Sequence, residues 1–397
     1  MRVLVVDHTA REGGAELALA RLVEQIHSPR IDVRAVVFED GPLVDRLRAA
    51  GTRTVVLALD ETVARTSRDR LLSPVALVRS VAQAIRFVPR LARAIRGSGA
   101  ELVVANSLKS AVFTALAAPL ARRPWVWHLH DRLAPDYLPR PLVAGMRALA
   151  AAGPRALVVN SLATMDTLPP RARAKASVAY PGLAATAFEP AAPTPEAPVV
   201  GIVGRISPTK GQREFLEAAA IVLRGGEDVR FRVVGASLFG EEDYEADMHR
   251  LPESLGIADR VEFTGWVADP GSQLRALSVF VHASPVPEPF GQVVAEAMAA
   301  GVPVVAADAG GIRELLDPEP RESHDEASAV RETRLGVLVR PGDPGALARA
   351  IAMTMADDVA RARRAAAAVE AARDLFTIER TAATVEATWS AAVSNGA

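Results

Sequence analysis

Apolar runs of strand length alternate with helical segments along the whole chain, and this alternation constrains the fold more than any other feature. The first run, RVLVVDH, precedes a glycine pair and a segment with helical periodicity, AELALARLVEQI. Strand candidates recur at 33–38, 54–59, 101–106, 125–130 and 156–160. Apolar strands separated by helices are typical of parallel sheets covered on both faces. The pattern predicts a doubly wound α/β fold.

The pattern stops at a proline- and alanine-rich stretch, EPAAPTPEAP, and then begins again. Because 397 residues exceed one ordinary core, we expect two Rossmann-like domains. Two such domains facing each other leave a cleft at the carboxyl ends of their strands, where open α/β sheets bind ligands. The predicted bounds are an N-terminal domain at 1–190, a linker at 191–198, a second domain at 199–375, and a C-terminal helix at 376–397 that packs back on the first domain.

Composition excludes several classes of protein. The 46 basic and 47 acidic residues nearly cancel, which gives no indication of a nucleic-acid partner. The absence of cysteine excludes disulfides, thiolate catalysis and cysteine-bound metals. No segment offers the roughly 20 apolar residues that span a bilayer, and the N-terminal apolar run is too short for a signal peptide. We expect a soluble cytoplasmic protein.

The loop after the first predicted strand, HTAREGGAE, stands where a Rossmann fold holds a pyrophosphate. It lacks the G-x-G-x-x-G spacing, which counts against a dinucleotide cofactor and a dehydrogenase. Gly13 and Gly14 precede a helix and allow backbone N–H groups to approach a phosphate. A plain tight turn explains the same glycine pair.

The second half opens with a more specific loop, GRISPTKG, between a strand and a helix. Arg205 and Lys210 lie in this loop, and Lys210 is one of only three lysines in the chain. An arginine fork and a lysine charge beside a helix N-terminus suit a diphosphate. Solvated surface cations are the alternative.

Two glutamates lie in the apolar stretch PVPEPFGQVVAEAMAAG, which reads as a loop followed by a helix ending at Gly301. Glu288 precedes the helix and Glu296 lies in its second turn. Backbone N–H groups at the helix start would lie between them. Carboxylates accept hydrogen bonds only, so this layout suits a nucleotide sugar, with hydroxyls at both ends and a diphosphate between. Two surface glutamates are the alternative.

Taken together, GRISPTKG, VEFTGWV and E-x7-E in EPFGQVVAEAMAAGVPVVA resemble retaining GT-B glycosyltransferases of family 4, the glycogen-synthase-like group. The resemblance runs from about 201 to 316, and GGAE and HLHD extend it towards the N-terminus. It implies an N-terminal acceptor-binding domain and a C-terminal nucleotide-sugar donor domain. It also implies transfer of a hexosyl group from a UDP- or GDP-sugar to a hydroxyl acceptor.

The resemblance also implies roles for individual residues. Arg205 and Lys210 stabilise the leaving diphosphate, Glu288 holds donor-sugar hydroxyls, and His130 lies near the reacting sugar. Attack occurs on the face that the diphosphate leaves, and the donor phosphate assists deprotonation, so no covalent nucleophile is needed. The remaining donor-binding residues are Gly13, Gly14, Phe290, Gly291, Gln292, Val293 and Glu296.

No metal and no cofactor is expected, because the chain has no D-x-D pair and cationic side chains replace the ion. The acidic segment EEDYEAD at 241–247 reads as a solvated helix face rather than a metal site. Two places depart from the family pattern. The loop at 236–242 is long, which leaves the base contacts open, and Asn106 replaces a frequent histidine, which leaves its acceptor-side role open.

Two other functions stay open at this point: a nucleotide-sugar 2-epimerase on the same fold, and a non-catalytic nucleotide-sugar-binding protein. The epimerase needs additional acid/base carboxylates, which the sequence does not assign. A basic amphipathic helix at 65–97 is consistent with peripheral contact at the inner face of the cell membrane, although an ordinary surface helix fits the same pattern better.

Overall fold

The computed structural model describes residues 1–11, 13–26, 30–59, 74–190, 197–238, 240–319 and 328–394, and the side chains of 74–84 are not described. The chain divides into two compact units. Unit 1 comprises Met1–Gly182 together with Ile378–Ala397, and unit 2 comprises Leu183–Thr377.

Unit 1 contains a parallel seven-stranded sheet in the order β3-β2-β1-β4-β5-β6-β7. Its strands are β1 Arg2–Asp7, β2 Asp32–Val37, β3 Arg53–Val56, β4 Leu102–Ala105, β5 Trp125–Leu129, β6 Ala156–Val159 and β7 Ala176–Val178. Its helices are α1 Gly14–Gln25, α2 Pro42–Ala49, α3 Pro74–Ser98, α4 Leu108–Leu120, α5 Arg140–Ala152, α6 Leu162–Met165, α7 Pro170–Arg173 and the C-terminal α15 Ile378–Ser394.

The central strands of this sheet are buried on both faces. In β4 all four residues are buried: Val103 and Ala105 pack into the core on one face, while Leu102 and Val104 pack into the core on the other. Continuous apolar runs are what a doubly covered parallel strand requires. The predicted doubly wound architecture is confirmed.

The C-terminal helix α15 packs into the unit 1 core. Trp389 is fully buried and its indole Nε1 donates to His128 Nε2 at 3.0 Å. Val385 and Ala382 belong to the same core cluster, and Arg155 Nη1 donates to the carbonyl of Ala392 at 3.1 Å.

Unit 2 repeats the architecture, with the sheet order β10-β9-β8-β11-β12-β14-β13. Its strands are β8 Val199–Val203, β9 Arg230–Val234, β10 Val261–Gly265, β11 Val279–His282, β12 Val304–Ala307, β13 Val330–Glu332 and β14 Val337–Val339. Its helices are α8 Gln212–Arg224, α9 Glu242–Leu255, α10 Pro270–Arg275, α11 Gln292–Ala300, α12 Ile312–Leu316, α13 Pro344–Ala356 and α14 Asp358–Leu375.

The structure corrects the sequence analysis at the edges of the elements. Residues 183–190 belong with unit 2, not with the first domain, because Leu183 N donates to Phe376 O at 2.8 Å and the 3-10 turn Ala185–Phe188 packs on α11. Of the predicted linker, 191–196 lie outside the described residues. The sequence analysis also did not identify β13, which forms the antiparallel edge of the unit 2 sheet, and 320–327 lie outside the described residues.

The basic helix α3 buries several of its described apolar side chains in unit 1, although Ile85 on the same helix is 68% exposed. Phe87, Leu91 and Ile95 lie in the core, whereas Arg90 and Arg93 are exposed. This is the arrangement of an ordinary surface helix, although residues 65–73 of the predicted segment lie outside the described part of the chain. None of the helices in the described ranges combines the length and the apolar character that a membrane crossing requires.

Candidate active site

A close backbone approach places Lys210 beside the end of β11. Gly211 is the N-cap of α8, with φ +82, and a Cβ there would lie 2.0 Å from the carbonyl oxygen of Ala283. Only glycine fits, because any side chain would meet backbone. Ser284 Oγ also donates to the carbonyl of Thr209 at 2.7 Å, which ties the two loops together. The glycine after Lys210 therefore determines what Lys210 can reach.

Lys210 pairs with the first of the two predicted glutamates. Its Nζ donates to Glu288 Oε1 at 2.5 Å, and Glu288 is 14% exposed. Burial raises the pKa of this carboxyl, but the Lys210 charge and the neighbouring His282 outweigh burial and hold the pKa well below its usual range. Glu288 is therefore ionised at neutral pH and accepts hydrogen bonds only.

A histidine that the sequence analysis did not single out lies on the other side of Glu288. His282 ends β11, its Nε2 is 3.7 Å from Glu288 Oε1, and its side chain is 10% exposed. Neither ring nitrogen has a hydrogen-bond partner among the described residues. The signal was its position at the carboxyl end of a strand, where side chains meet ligands in parallel sheets.

The backbone of Glu288 is fixed by a second glycine pair, Gly310 and Gly311, which lies between β12 and α12. Gly311 N donates to Glu288 O at 2.9 Å, and Gly310 has φ +61. A Cβ on Gly310 would lie 2.1 Å from Glu288 O. The glycine pair thus positions the loop that carries Glu288.

Helix α11 begins and ends as predicted. Gly291 precedes it with φ +100, and Gly301 ends it with φ +73. Phe290 is buried and packs edge-on against Phe376 with ring centroids 5.7 Å apart, so its backbone rather than its ring is left to meet a ligand. Gln292 Nε2 donates to Glu296 Oε1 at 3.2 Å, which places both side chains together on the half-buried face of the first two turns. Val293, in the first turn, is half-buried.

Arg205, the other predicted cation of this loop, also pairs with a carboxylate. Its Nη1 lies 3.2 Å from Glu241 Oε2, and the two side chains are 29% and 25% exposed. Glu241 comes from the long loop after β9, so the segment read as a solvated acidic face reaches the predicted diphosphate-binding loop. Glu242 and Asp243, which follow it, are exposed.

In unit 1 the glycine pair lies at the start of α1. Gly13 is the N-cap, Gly14 is the first helical residue, and a Cβ on Gly13 would lie 2.5 Å from Glu16 Oε2. Burial and the charge of Asp7 raise the pKa of Glu16 to about 8. A protonated carboxyl is therefore held beside the glycine loop at neutral pH.

His130 belongs to a hydrogen-bonded chain across the ends of β1, β4 and β5. His130 Nε2 lies 3.0 Å from Asn106 Oδ1, and Asn106 Nδ2 donates to Asp7 Oδ2 at 2.6 Å. Burial lowers the pKa of His130, although Asp131 and Asp7 oppose this effect. The other histidine of HLHD, His128, accepts from Trp389 and is buried, and burial followed by the charge of His130 lowers its pKa to about 3.

The predicted site residues thus form two clusters, each at the carboxyl edge of its own sheet. Sequence reasoning missed several polar neighbours, because only tertiary packing brings them to the predicted residues. The unit 2 cluster contains Arg205, Lys210 and Glu288 with the start of α11, and the unit 1 cluster contains Gly13, Gly14 and His130. The missed neighbours are Asp7, His8, Glu16, Glu241 and His282.

The unit 1 cluster contains one group with metal-ligand spacing. Ligand atoms of Asp7, His8 and Glu16 lie within 4.8 Å of one another. Both oxygens of Asp7 already accept hydrogen bonds, from His8 N at 2.6 Å and from Asn106 Nδ2.

Comparison with known proteins connects both clusters to one family. The profile of the glycosyl transferase 4-like domain matches residues 13–180, and that of the glycosyl transferases group 1 matches 197–357. The lipopolysaccharide core biosynthesis glycosyltransferase LpsE of Rhizobium meliloti is 33% identical over 43% of this chain and 43% of its own length. The D-inositol 3-phosphate glycosyltransferase of Corynebacterium glutamicum is 33% identical over 50% of this chain and 44% of its own length. The chain therefore spans less than half the length of either curated relative.

Solved structures match over the whole chain. HepE of Anabaena in complex with UDP-glucose has a TM-score of 0.80 and 28% sequence identity, and the match covers 98% of this chain and 100% of that one. Sucrose-phosphate synthase from Thermosynechococcus elongatus, at a TM-score of 0.76 and 19% identity, shares the fold. The two profiles and the whole-chain structural match show that the chain belongs to the group 1, family 4-like glycosyltransferases of GT-B fold.

Proposed function

We propose that the chain transfers a hexosyl group from a nucleotide-diphosphate sugar to a hydroxyl acceptor, with retention of configuration and without a metal ion. The observation that carries the proposal is the pairing of Lys210 with the ionised Glu288, in the same loop as Arg205. HepE, with 28% identity, was solved with UDP and glucose, with UDP and with UDP-glucose. A nucleotide-sugar donor is therefore the ligand class that we expect here.

In the proposed reaction the bond between the sugar C1 and the diphosphate oxygen breaks, and its electron pair leaves with the diphosphate. Arg205 and Lys210 stabilise the developing charge, which is a large contribution when the cations are already in place. The acceptor hydroxyl attacks C1 on the face that the diphosphate leaves and gives its proton to a donor phosphate oxygen. Glu288 holds sugar hydroxyls as an acceptor, and Glu296 binds the ribose.

Metal independence rests on the same two cations, which supply the positive charge that a divalent ion supplies in other nucleotide-dependent enzymes. We expect transfer to persist in excess EDTA. Loss of transfer that is restored by Mg²⁺ or Mn²⁺ contradicts this part of the proposal.

The test is a panel of UDP- and GDP-sugars with the purified chain, scored for nucleotide release and, with cell extract as acceptor, for transfer. We expect Lys210→Ala and Glu288→Ala each to lower turnover by about 100-fold or more, because each removes a group that contacts the donor. Glu253→Ala, an exposed carboxylate of α9, is the control and retains activity. Near-normal turnover in either of the first two variants, with native circular dichroism, refutes the site.

A nucleotide-sugar 2-epimerase is the second candidate, because burial and the charge of Asp7 raise the pKa of Glu16, a carboxyl that the sequence did not assign. Glu16, with a pKa of about 8, lies beside Asp7 and is suited to donate a proton. The same panel separates the candidates. An epimerase inverts the sugar C2, either on the intact nucleotide sugar or after elimination of the nucleoside diphosphate. A transferase releases the nucleoside diphosphate only as the sugar moves to an acceptor or to water.

Contact with an anionic membrane through α3 stays a prediction. Any such contact would use exposed side chains of α3, Ile85, Arg90 and Arg93 among them, together with Leu116 and Leu120 on the neighbouring α4. Both leucines are exposed, and Arg96 Nη1 donates to Leu120 O at 2.9 Å.

A further inference from the structure

The loop between β9 and α9 delivers one carboxylate to the diphosphate-binding loop of unit 2. Glu241 is the residue before α9, and its two oxygens have different partners. Oε2 lies 3.2 Å from Arg205 Nη1, and Oε1 accepts from Ser207 Oγ at 2.7 Å. The next inward carboxylate, Glu245, accepts instead from Ser237 Oγ at 2.6 Å and from Ser237 N. Glu241 is thus directed at the β8–α8 loop, whereas Glu245, four residues later, bonds to Ser237 in the loop that precedes its own helix.

The contact between Glu241 and Arg205 rests on charge rather than on hydrogen-bond geometry. Glu241 Oε2 is buried and has no hydrogen-bond partner among the described residues, although it lies within ion-pair distance of the guanidinium. A partly exposed ion pair of this kind is weak and can exchange one anion for another. A phosphate oxygen forms shorter, charge-assisted hydrogen bonds with a guanidinium.

Departure of Glu241 leaves its other partner satisfied. Ser207 Oγ lies 3.0 Å from Thr209 Oγ1, so it keeps a hydrogen bond when the carboxylate moves. The Glu241 side chain makes no capping hydrogen bond to α9. Gly240 before it has φ +86, and no atom of the described residues lies within 4 Å of a Cβ built there. The loop can release Glu241 without breaking the helix or leaving a buried polar group unpaired.

We propose that Glu241 is an internal counter-ion that competes with the donor diphosphate for Arg205. This inference rests on the proposed function, since it takes the diphosphate to bind at that cation. While Glu241 contacts Arg205 it weakens the affinity for any nucleoside diphosphate. When it returns after transfer it speeds release of the nucleoside diphosphate product. Glu241 touches Arg205 rather than the reacting atoms, so it acts as a tuning residue for donor affinity.

The proposal predicts that removing the Glu241 charge increases the affinity for the nucleoside diphosphate. Substitution of a residue with only a structural role would not increase it. In Glu241→Gln the amide can still accept from Ser207, but it no longer attracts the guanidinium. We expect the Kd for UDP, or for GDP if that is the nucleotide bound, to fall about fivefold or more, with a slower dissociation rate. The matched control is Glu242→Gln, the same charge change one residue along at an exposed position, which leaves the Kd unchanged.

A double-mutant cycle locates the effect on Arg205. In an Arg205→Ala background we expect Glu241→Gln to change the Kd by less than about twofold, because the competed cation is absent. Calorimetric titration with UDP and GDP at one fixed salt concentration measures all five proteins, the wild type included. An equal gain in both backgrounds overturns competition for Arg205 in favour of general repulsion.

The remaining outcomes separate this inference from the proposed function. Wild-type binding of a nucleoside diphosphate with unchanged or weaker binding by Glu241→Gln overturns the counter-ion role and leaves the transferase proposal intact. Failure of both nucleotides to bind either folded protein overturns both proposals together.

Discussion

At the scale of single residues, Asn106 determines which nitrogen of His130 carries the proton. The Asp7 carboxyl accepts from His8 N and from Asn106 Nδ2, so the amide nitrogen of Asn106 faces Asp7. The amide oxygen then faces His130 Nε2 at 3.0 Å, and an oxygen can only accept. Nε2 must therefore carry the hydrogen, which leaves Nδ1 as an acceptor. Because burial lowers the pKa of His130, the ring is neutral at pH 7. The unprotonated Nδ1 of His130 is therefore suited to accept a hydrogen bond from a hydroxyl group.

We expect Asn106→Leu to remove this tautomer preference and to lower transfer by about tenfold, the scale of one lost hydrogen bond. Nitrogen-15 NMR of the imidazole reads the tautomer directly. The matched control is Asn160→Leu, which removes a bond to the backbone oxygen of His130, 3.0 Å away, and leaves the ring contacts in place. Both substitutions remove buried hydrogen bonds and can therefore lower stability. The assignment is supported only if His130 loses the Nε2–H form in Asn106→Leu and keeps it in Asn160→Leu. A wild-type ring protonated on Nδ1 contradicts it.

The raised pKa of Glu16 predicts that the stability of unit 1 depends on pH. Its folded pKa is raised to about 8, whereas the unfolded value is about 4.5. Between these values the folded state holds a proton that the unfolded state has lost, so stability falls as the pH rises through this window. We expect unit 1 to lose on the order of a few kcal/mol between about pH 5 and pH 8.

Glu16→Gln mimics the protonated form and should flatten that dependence. Denaturant unfolding followed by tryptophan fluorescence measures it, since Trp125, Trp127 and Trp389 report on unit 1. A wild type whose stability rises over this window would show that Glu16 ionises normally.

At the scale of elements, the sequence predicted what periodicity and glycine can specify. The long buried strands and α11 with its Gly301 end are where the apolar pattern placed them. Strands β7 and β13 were missed because their residues, ASV and VRE, do not form a continuous apolar run. Strand β13 is also stabilised by side-chain contacts outside the strand, because Arg331 donates to Asp317 and Asp308.

At the candidate site, too, sequence patterns did not reveal contacts that depend on tertiary packing. The N-cap Glu241 and Glu245 are four residues apart, about one helical turn, and both are half-buried, unlike the exposed Glu242 and Asp243. That spacing was visible in the sequence. Arg205 as the partner of Glu241 was not, because the pairing depends on how two loops at the ends of the neighbouring strands β8 and β9 fold over one edge.

At the scale of the whole molecule, the chain changes unit within a few residues near its C-terminus. Phe376 belongs to unit 2, where it packs against Phe290, and its backbone oxygen accepts from Leu183 N. Trp389, thirteen positions later, is fully buried in unit 1 and stacks on His128 with ring centroids 5.6 Å apart. Unit 1 is therefore closed by a helix that follows all of unit 2 along the chain.

This arrangement predicts opposite effects for two similar substitutions. Trp389→Ala and Phe376→Ala each remove a fully buried aromatic ring, at a cost of about 3–5 kcal/mol. Because each unit has its own core, we expect hydrogen exchange in Trp389→Ala to rise in the strands β1, β4 and β5 and to stay unchanged in β8, β11 and β12. Phe376→Ala should give the reverse pattern. If either substitution raises exchange equally in both sheets, the two units unfold as one, and His128 and Phe290 then report on a single cooperative structure.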